Sequence, residues 1–396
     1  MSPKRISILG STGSVGCSTL AVVDHVNKAG AGQKYEIDVL AAGRDGEKLA
    51  EQAIGYKAKL AVIADETKLD DLKARLAGYE IEVAGGASAV TAAASRPCHR
   101  LVAAIVGIAG LPSTLAALQA GNDVALANKE SLICAAALLK QEAAKSGAKI
   151  VPMDSEHSAI FQVLEAHGGV EKLVLTASGG PFLETPQEKL AQMSVAEARA
   201  HPKWSMGLKI SIDSASMMNK ALEVIEAAYL FDKTADQIDV VVHPQSIIHS
   251  MVYYRDGSVL AQLGTPDMRT PIAYALSWPE KRLETQVQRL DLAELSNLTF
   301  QNVDNTRFPA ISLAKQALRA GGAAPLILNC ANEAAVAAFI AGECRFTDIS
   351  LIVEKTLERF SERGFDKYAL LSFEEIAELH DEGYEIARNL LDELQA

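Results

Sequence analysis

The chain has 396 residues, of which 49% are hydrophobic and 22% charged; that is more than one core usually serves, so two or three globular domains are expected, and the composition argues against disorder. Acidic residues number 50 against 38 basic ones, a formal charge of -12, which disfavours nucleic acid and anionic membrane as partners. Cys17, Cys98, Cys134, Cys330 and Cys344 form no C-x-x-C pair and read as reduced, packed thiols, which fits a cytoplasmic protein. Lys4 and Arg5 precede an apolar run, Ile6 to Leu9, too short for a signal sequence. The longest apolar stretch, Leu101 to Leu111, falls short of the ~20 residues of a membrane span. No targeting segment is expected.

In chain order, Ile6–Leu9 reads as a buried strand, Ser14–Val26 as a helix, Glu36–Ala42 as a strand, Gly46–Ile54 as a helix and Leu60–Ile63 as a strand. Val102–Val106 and Asp123–Leu126 continue the series. Short apolar strands separated by helices imply a parallel, Rossmann-like sheet covered on both faces, here spanning 1–150. The first strand opens into Gly10-Ser11-Thr12-Gly13-Ser14-Val15-Gly16 and then a helix. Three glycines at that junction let the backbone approach a pyrophosphate, while the helix start offers amides and Ser11, Thr12 and Ser14 offer hydroxyls. The spacing is G-x-x-G-x-x-G, not G-x-G-x-x-G, so a plain tight turn stays open. The second strand exits into Gly43-Arg44-Asp45. Arg44 could pair with the 2′-phosphate of NADPH, but Asp45 leaves the choice of dinucleotide ambiguous.

From residue 151 the pattern changes to a mixed sheet in an α+β domain, 151–290. In Val151-Pro152-Met153-Asp154-Ser155-Glu156-His157-Ser158, an extended backbone would point Asp154 and Glu156 to one side, as a Mg²⁺ or Mn²⁺ site needs. The competing reading is a helix N-terminus, with Asp and Ser capping. Lys172–Thr176 reads as a strand ending in Ala177-Ser178-Gly179-Gly180-Pro181-Phe182, an anion-binding nest. The loop His201-Pro202-Lys203-Trp204-Ser205-Met206-Gly207 reads as a lid near 200–208. Ser214 lies near the start of a helix, Met217–Leu230, whose Asn219, Lys220 and Glu223 share a face; they form either a surface ion pair or a phosphate and metal set. Val240–Val242, Ile247–Tyr254 and Val259–Leu263 read as strands, the last two joined by a turn at Arg255-Asp256-Gly257. His243 and His249 receive no metal role. Residues 291–309 read as a linker and 310–396 as a C-terminal helical bundle, with a helix starting at Thr347-Asp348 and a capping box of Ser372 and Glu375.

Taken together, G-S-T-G-S-V-G at 10–16, A-N-K-E-S at 127–131, P-M-D-S-E-H at 152–157, A-S-G-G-P-F at 177–182, H-P-K-W-S-M-G at 201–207, I-D-S-A-S-M-M-N-K-A-L-E at 212–223, V-H-P-Q-S-I-I-H-S at 242–250 and L-N-C-A-N-E-A-A-V-A-A-F at 328–339 resemble the 1-deoxy-D-xylulose 5-phosphate reductoisomerase family along nearly the whole chain. The resemblance implies an NADPH domain, a catalytic domain and a helical domain in a homodimer, converting 1-deoxy-D-xylulose 5-phosphate to 2-C-methyl-D-erythritol 4-phosphate in non-mevalonate isoprenoid synthesis. By that likeness Asp154, Glu156 and Glu223 hold Mg²⁺ or Mn²⁺, with Co²⁺ a further choice. Ser178, Ser214, Asn219 and Lys220 bind the phosphate, and Lys129, Ser155 and Glu156 meet the substrate's oxygens. His201 and Trp204 belong to the lid, with Met206 near the substrate. Gly10 to Val15, Gly43 to Asp45, Asn128, Glu130 and Gly207 lie near the cofactor. The catalytic set is Lys129, Glu156 and His201.

Two other readings differ in class. A metal-independent semialdehyde or aldehyde reductase of the phosphorylating kind would need a nucleophilic cysteine, Cys134 or Cys330. A non-enzymatic NADP(H)-sensing protein would bind without turnover and leaves the acidic and phosphate segments without a task.

Overall fold

The computed structural model describes residues 3–30, 33–200, 207–365 and 371–395. Its contacts divide the chain into two units. The first comprises Met1–Ser131, Leu139–Ser158 and Asp267–Gln288; the second comprises Leu132–Leu138, Ala159–Pro266 and Arg289–Ala396.

In the first unit the described strands are β1 (Lys4–Leu9), β2 (Tyr35–Ala42), β3 (Leu60–Ile63), β4 (Glu82–Gly85), β5 (Arg100–Ala103), β6 (Val124–Leu126) and β7 (Ile150–Pro152). They form a parallel sheet in the order β4-β3-β2-β1-β5-β6-β7. Ile6, Ile8, Leu40, Val62 and Val102 are fully buried, because helices cover both faces and leave no polar side to alternate with. The chain runs outward from β1 to β4 and returns to β5 at β1's other edge. The strand order therefore reverses between β1 and β5, and a crevice opens at their carboxyl ends. The expected strand Val102–Val106 stops at Ala103, and Val106 beyond it is 62% exposed. The short strands β4 and β7 carry too few residues to show a period.

A single boundary near residue 150 does not capture one feature. Asp267–Gln288 returns to the first unit, its helix Arg269–Ser277 packing against the Ser14–Ala29 helix. It is pinned by the first residues of three neighbouring strands: Lys4 pairs with Glu280 at 2.7 Å, Tyr35 Oη donates to Leu276 O at 3.2 Å, and Arg100 donates to Trp278 O at 2.5 Å. All three anchors lie at the amino ends of the strands, opposite the crevice.

In the second unit, β8 (Val170–Ala177), β9 (Ile238–Val242), β10 (Ile248–Tyr254), β11 (Val259–Leu263) and β12 (Gln301–Asn302) form a mixed sheet, ordered β11-β10-β8-β9-β12. Among the described strands of this sheet, only β8 and β9 pair in parallel. The β10–β11 turn is the expected one; Gly257 takes φ +87°, and Asp256 accepts from Ser258 N at 2.9 Å. The stretch 291–309 is not a plain linker. Asp291 caps a short helix, Leu292–Leu295, and β12 pairs with Val241 and Val242. Two paired residues are too few for a sequence period.

The helices Ala310–Ala320, Ala324–Ala341, Asp348–Ser361 and Phe373–Gln395 follow as a bundle. Ser372 and Glu375 form the expected capping box, with Glu375 N donating to Ser372 Oγ at 3.2 Å and Ser372 N to Glu375 Oε2 at 2.7 Å. Ala324–Ala341 has the length and hydropathy of a membrane span, although two asparagines and a glutamate interrupt its sequence, and 78% of it is buried. It is the central helix of this bundle, packed on both Asp348–Ser361 and Phe373–Gln395.

Candidate active site

The loop after β1 is built so that no side chain fits inside it. Gly10 has φ +89°, and a Cβ there would lie 2.5 Å from Ala104 O on the loop after β5; a Cβ on Gly16 would lie 2.5 Å from Ser11 Cα. Gly10 N and Ser11 N both donate to Ala41 O, at 2.9 and 2.8 Å. The loop's own carbonyls are neutralised from the Gly46–Tyr56 helix, where Gln52 donates to Ser11 O at 3.0 Å and Lys48 to Thr12 O at 2.8 Å. The Ser14–Ala29 helix begins at Gly13 with no side-chain cap. Its first amides and its dipole thus face the crevice as an anion site. Thr12 and Gly13 are at least partly exposed there, whereas Ser11 is buried.

Beyond β2, the Arg44 side chain is 87% exposed and 3.4 Å from Asp65. Asp45 accepts from Lys48 N at 3.1 Å, so the acidic residue that made the sequence ambiguous caps a helix. Asn128 caps the Lys129–Ser146 helix by accepting from Ser131 N at 2.7 Å, and it donates to Ile105 O and, at 2.9 Å, to Gly107 O. Its side chain ties the helix start to the crevice wall. Glu130, next to it, is buried.

The acidic segment is helical, which corrects the extended reading. The helix Ser155–Val163 starts there, and Ser158 N bonds to Asp154 O at 2.8 Å. Asp154 and Glu156 therefore share a helix start, where the dipole favours negative charge. Asp154 lies 2.6 Å from Lys129 Nζ and 3.9 Å from His157 Nδ1. Ser155 Oγ donates to Glu156. His157 is fully buried; sequence reasoning gave it no role, and its i,i+3 spacing from Asp154 on a helix was the missed signal.

Other expected residues lie in the second unit. Ser178 follows β8, and its Oγ accepts from Gly180 N at 3.3 Å. A Cβ on Gly180, which has φ +66°, would lie 2.6 Å from Ser214 O, so the absence of a side chain lets the Ser178 loop press on the end of the helix Leu208–Ala215. Met217 then takes a left-handed φ of +62° and begins the helix Met218–Phe231. On it Lys220 is 5% exposed and Glu223 1%, so the pair is not the surface ion pair of the bland reading. Lys220 and Asn219 both donate to Glu223, Asn219 at 2.5 Å. A carboxylate this deep requires such partners. His201, Trp204 and Met206 lie outside the described residues; Gly207 is exposed at the start of the Leu208–Ala215 helix.

His243 is framework. It is buried, bonded to Thr299 O through Nδ1 at 2.9 Å, accepts from Ile247 N at 3.1 Å and stacks on Phe300. Neither cysteine fits a nucleophile. Cys330 is fully buried, and burial pushes its thiol far above the usual range. Cys134 is buried and accepts from Asn329 at 3.6 Å.

A glycine-rich β1–helix turn at the switch point of a doubly wound parallel sheet, and a second unit carrying a glycine turn after β8 with buried Lys220 and Glu223 and half-buried Asn219, are the features of a nicotinamide-dependent oxidoreductase. Family models described as 1-deoxy-D-xylulose 5-phosphate reductoisomerase match residues 6–136, and models for C-terminal domains of the same enzyme match 150–231 and 263–386. The enzyme of that name from Caulobacter vibrioides is 53% identical over 92% of this chain and 90% of its own. A solved structure of the Zymomonas mobilis enzyme with NADPH is similar at TM-score 0.91 and 44% identity, covering 98% of this chain and 99% of that one. Another, a reductoisomerase with NADPH, fosmidomycin and magnesium, has TM-score 0.91 and 42% identity and covers 99% of each chain. The chain belongs to the 1-deoxy-D-xylulose 5-phosphate reductoisomerase family.

Proposed function

We infer that this chain is the reductoisomerase that converts 1-deoxy-D-xylulose 5-phosphate to 2-C-methyl-D-erythritol 4-phosphate, using NADPH and Mg²⁺. The observation that carries this is family membership along the chain together with the residues kept in place. The Gly10–Gly16 turn, which leaves no room for a Cβ at Gly10 or Gly16, suits a dinucleotide pyrophosphate. The carboxylates suit a hard cation, and we extend the choice to Mn²⁺ or Co²⁺. When bound, the cation supplies Lewis acidity and NADPH supplies hydride.

The roles of single residues extend that reading. Asp154, Glu156 and Glu223 hold the cation. Lys129 and Ser155 orient the substrate's oxygens, and Lys129 keeps a positive charge beside Asp154. Glu156, with Lys129 and the lid residue His201, forms the set that holds and moves protons. Ser178, Ser214, Asn219 and Lys220 bind the phosphate: hydroxyls, an amide and an ammonium suit a dianion. Trp204 and Met206 cover the substrate and exclude water. The nicotinamide nucleotide takes Gly10 to Val15, Gly43, Arg44, Asp45, Asn128, Glu130 and Gly207. We propose 1–150, 151–290 and 310–396 as the nucleotide, catalytic and helical domains, and a cytoplasmic homodimer. The edge strand β11, with Val259 42% and Leu263 36% exposed, is the kind of apolar edge that a second copy covers.

The test is NADPH oxidation by the purified chain given the sugar phosphate and Mg²⁺. Oxidation abolished by EDTA supports the reading; oxidation undiminished by EDTA contradicts it. A Glu223→Gln variant with full turnover removes Glu223 from the cation set.

A further inference from the structure

The run Leu328-Asn329-Cys330-Ala331-Asn332-Glu333 has no task in the function above, yet it carries polar side chains into the core of the helical bundle. Asn332 is fully buried, and its Nδ2 donates to Asp213 Oδ1 at 2.8 Å. Asp213 is 1% exposed. Its other oxygen lies 2.9 Å from Lys209 Nζ. A buried carboxylate needs such partners; Lys209 is an i,i+4 neighbour on the same helix, so the Asn332 bond is the one that ties the Leu208–Ala215 helix to Ala324–Ala341.

Asp213 directly precedes Ser214, whose carbonyl stands against the Gly180 backbone. Ser216 Oγ bonds back to Ile212 O at 3.1 Å and Asp213 O at 3.2 Å, and accepts from Met218 N at 3.4 Å. The turn into the helix bearing Asn219 and Lys220 is therefore stiff. A displacement of Asp213 would pass to Ser214 directly and to Asn219 and Lys220 through that turn. Glu333 steadies the far side: it accepts from Asn329 at 3.1 Å, meets His380 Nε2 at 3.1 Å, and its carboxyl is also held ionised by the Lys209 charge.

We propose that Asn332 is a positioning residue for the phosphate pocket: with Lys209 it holds Asp213 so that Ser214 presents its hydroxyl together with Ser178, Asn219 and Lys220. This rests on the reading of those four residues as phosphate contacts.

The experiment uses the full chain with NADPH and Mg²⁺ and reads KM for the sugar phosphate, the inhibition constant of inorganic phosphate, KM for NADPH, and kcat. Asn332→Asp is isosteric and sets an acceptor against Asp213. It should raise the first two constants about tenfold, the worth of one hydrogen bond to a charged group, and leave the last two within about threefold. The swap Asn332→Asp with Asp213→Asn restores a donor and an acceptor and should recover most of the loss. Should Asn332→Asp not fold, Lys209→Met, at a partly exposed site, should give the same split at smaller size. Ser214→Ala separates the two layers. If it weakens phosphate binding while Asn332→Asp and Lys209→Met change nothing, or lower kcat alone, the positioning role is wrong. If Ser214→Ala leaves the phosphate constant unchanged, the phosphate reading beneath it is wrong.

Discussion

Lys129 and Asp154 form an ion pair of 2.6 Å in which the side chains are only 12% and 15% exposed. The ammonium occupies a carboxylate oxygen that a cation would otherwise share. Replacing Lys129 with Met removes that competitor but also a charge for orienting substrate oxygens. We expect turnover to fall at least about a hundredfold, on the order of the loss of one positioned charged group. Mn²⁺ binding, measured by calorimetry without substrate, should be unchanged or tighter. Loss of Mn²⁺ binding alongside turnover would contradict this division.

Gly10→Ala adds a carbon 2.5 Å from Ala104 O at a φ of +89°, a conformation that L side chains rarely adopt. Backbone strain and overpacking together should cost about 2–4 kcal/mol. Thermal unfolding should show it as a lower Tm, and fluorescence titration as weaker NADPH binding. A Tm within experimental error of wild type would show that the β1 and β5 loops separate freely.

Arg44 presents its guanidinium to solvent, 87% exposed, with Asp65 at 3.4 Å. If it meets the 2′-phosphate, Arg44→Ala should raise KM for NADPH about tenfold, as for one charge-assisted contact, and leave KM for NADH nearly unchanged. Equal changes for the two cofactors would place the discrimination elsewhere.

His380 and Glu333 make stability depend on pH. Burial disfavours the imidazolium, but the Glu333 hydrogen bond and charge, helped by Asp381, outweigh it and raise the pKa of His380. Burial likewise opposes ionised Glu333, and the His380 bond and Lys209 charge outweigh it, so that pKa is lowered. A raised base contributes fully below its unfolded value of about 6.5 and loses the contribution as pH rises through the folded pKa; a lowered acid contributes fully above about 4.3 and loses it as pH falls through its folded pKa. The pair therefore stabilises most between those values. His380→Gln should cost about 2 kcal/mol near pH 6, and the difference from wild type should shrink as pH rises beyond neutrality. A difference in Tm independent of pH would mean that His380 is uncharged throughout.

The sequence made the first sheet legible because buried parallel strands are continuous apolar runs and Gly10, Gly13 and Gly16 mark the ligand end. It made the site residues legible only as an ordered set of motifs. Asp154 and Glu156 looked extended because two carboxylates around a serine satisfy the strand period as well as a helix start. Asp45 left the choice of dinucleotide open because a helix cap and a ribose ligand use the same residue type. The return of Asp267–Gln288 was illegible because its anchors, Lys4, Tyr35 and Arg100, are held from far along the chain. Asn332 was hidden for the same reason, since its partner Asp213 lies in another helix.

The most direct test of the central claim is the carbon skeleton of the product. Purified chain with the linear sugar phosphate, NADPH and Mg²⁺ should yield, by NMR, a branched polyol phosphate whose methyl group sits on a carbon bearing no hydrogen, and none after EDTA. A linear polyol phosphate, with the methyl carbon's neighbour still carrying hydrogen, would show a simple ketone reductase and contradict the account.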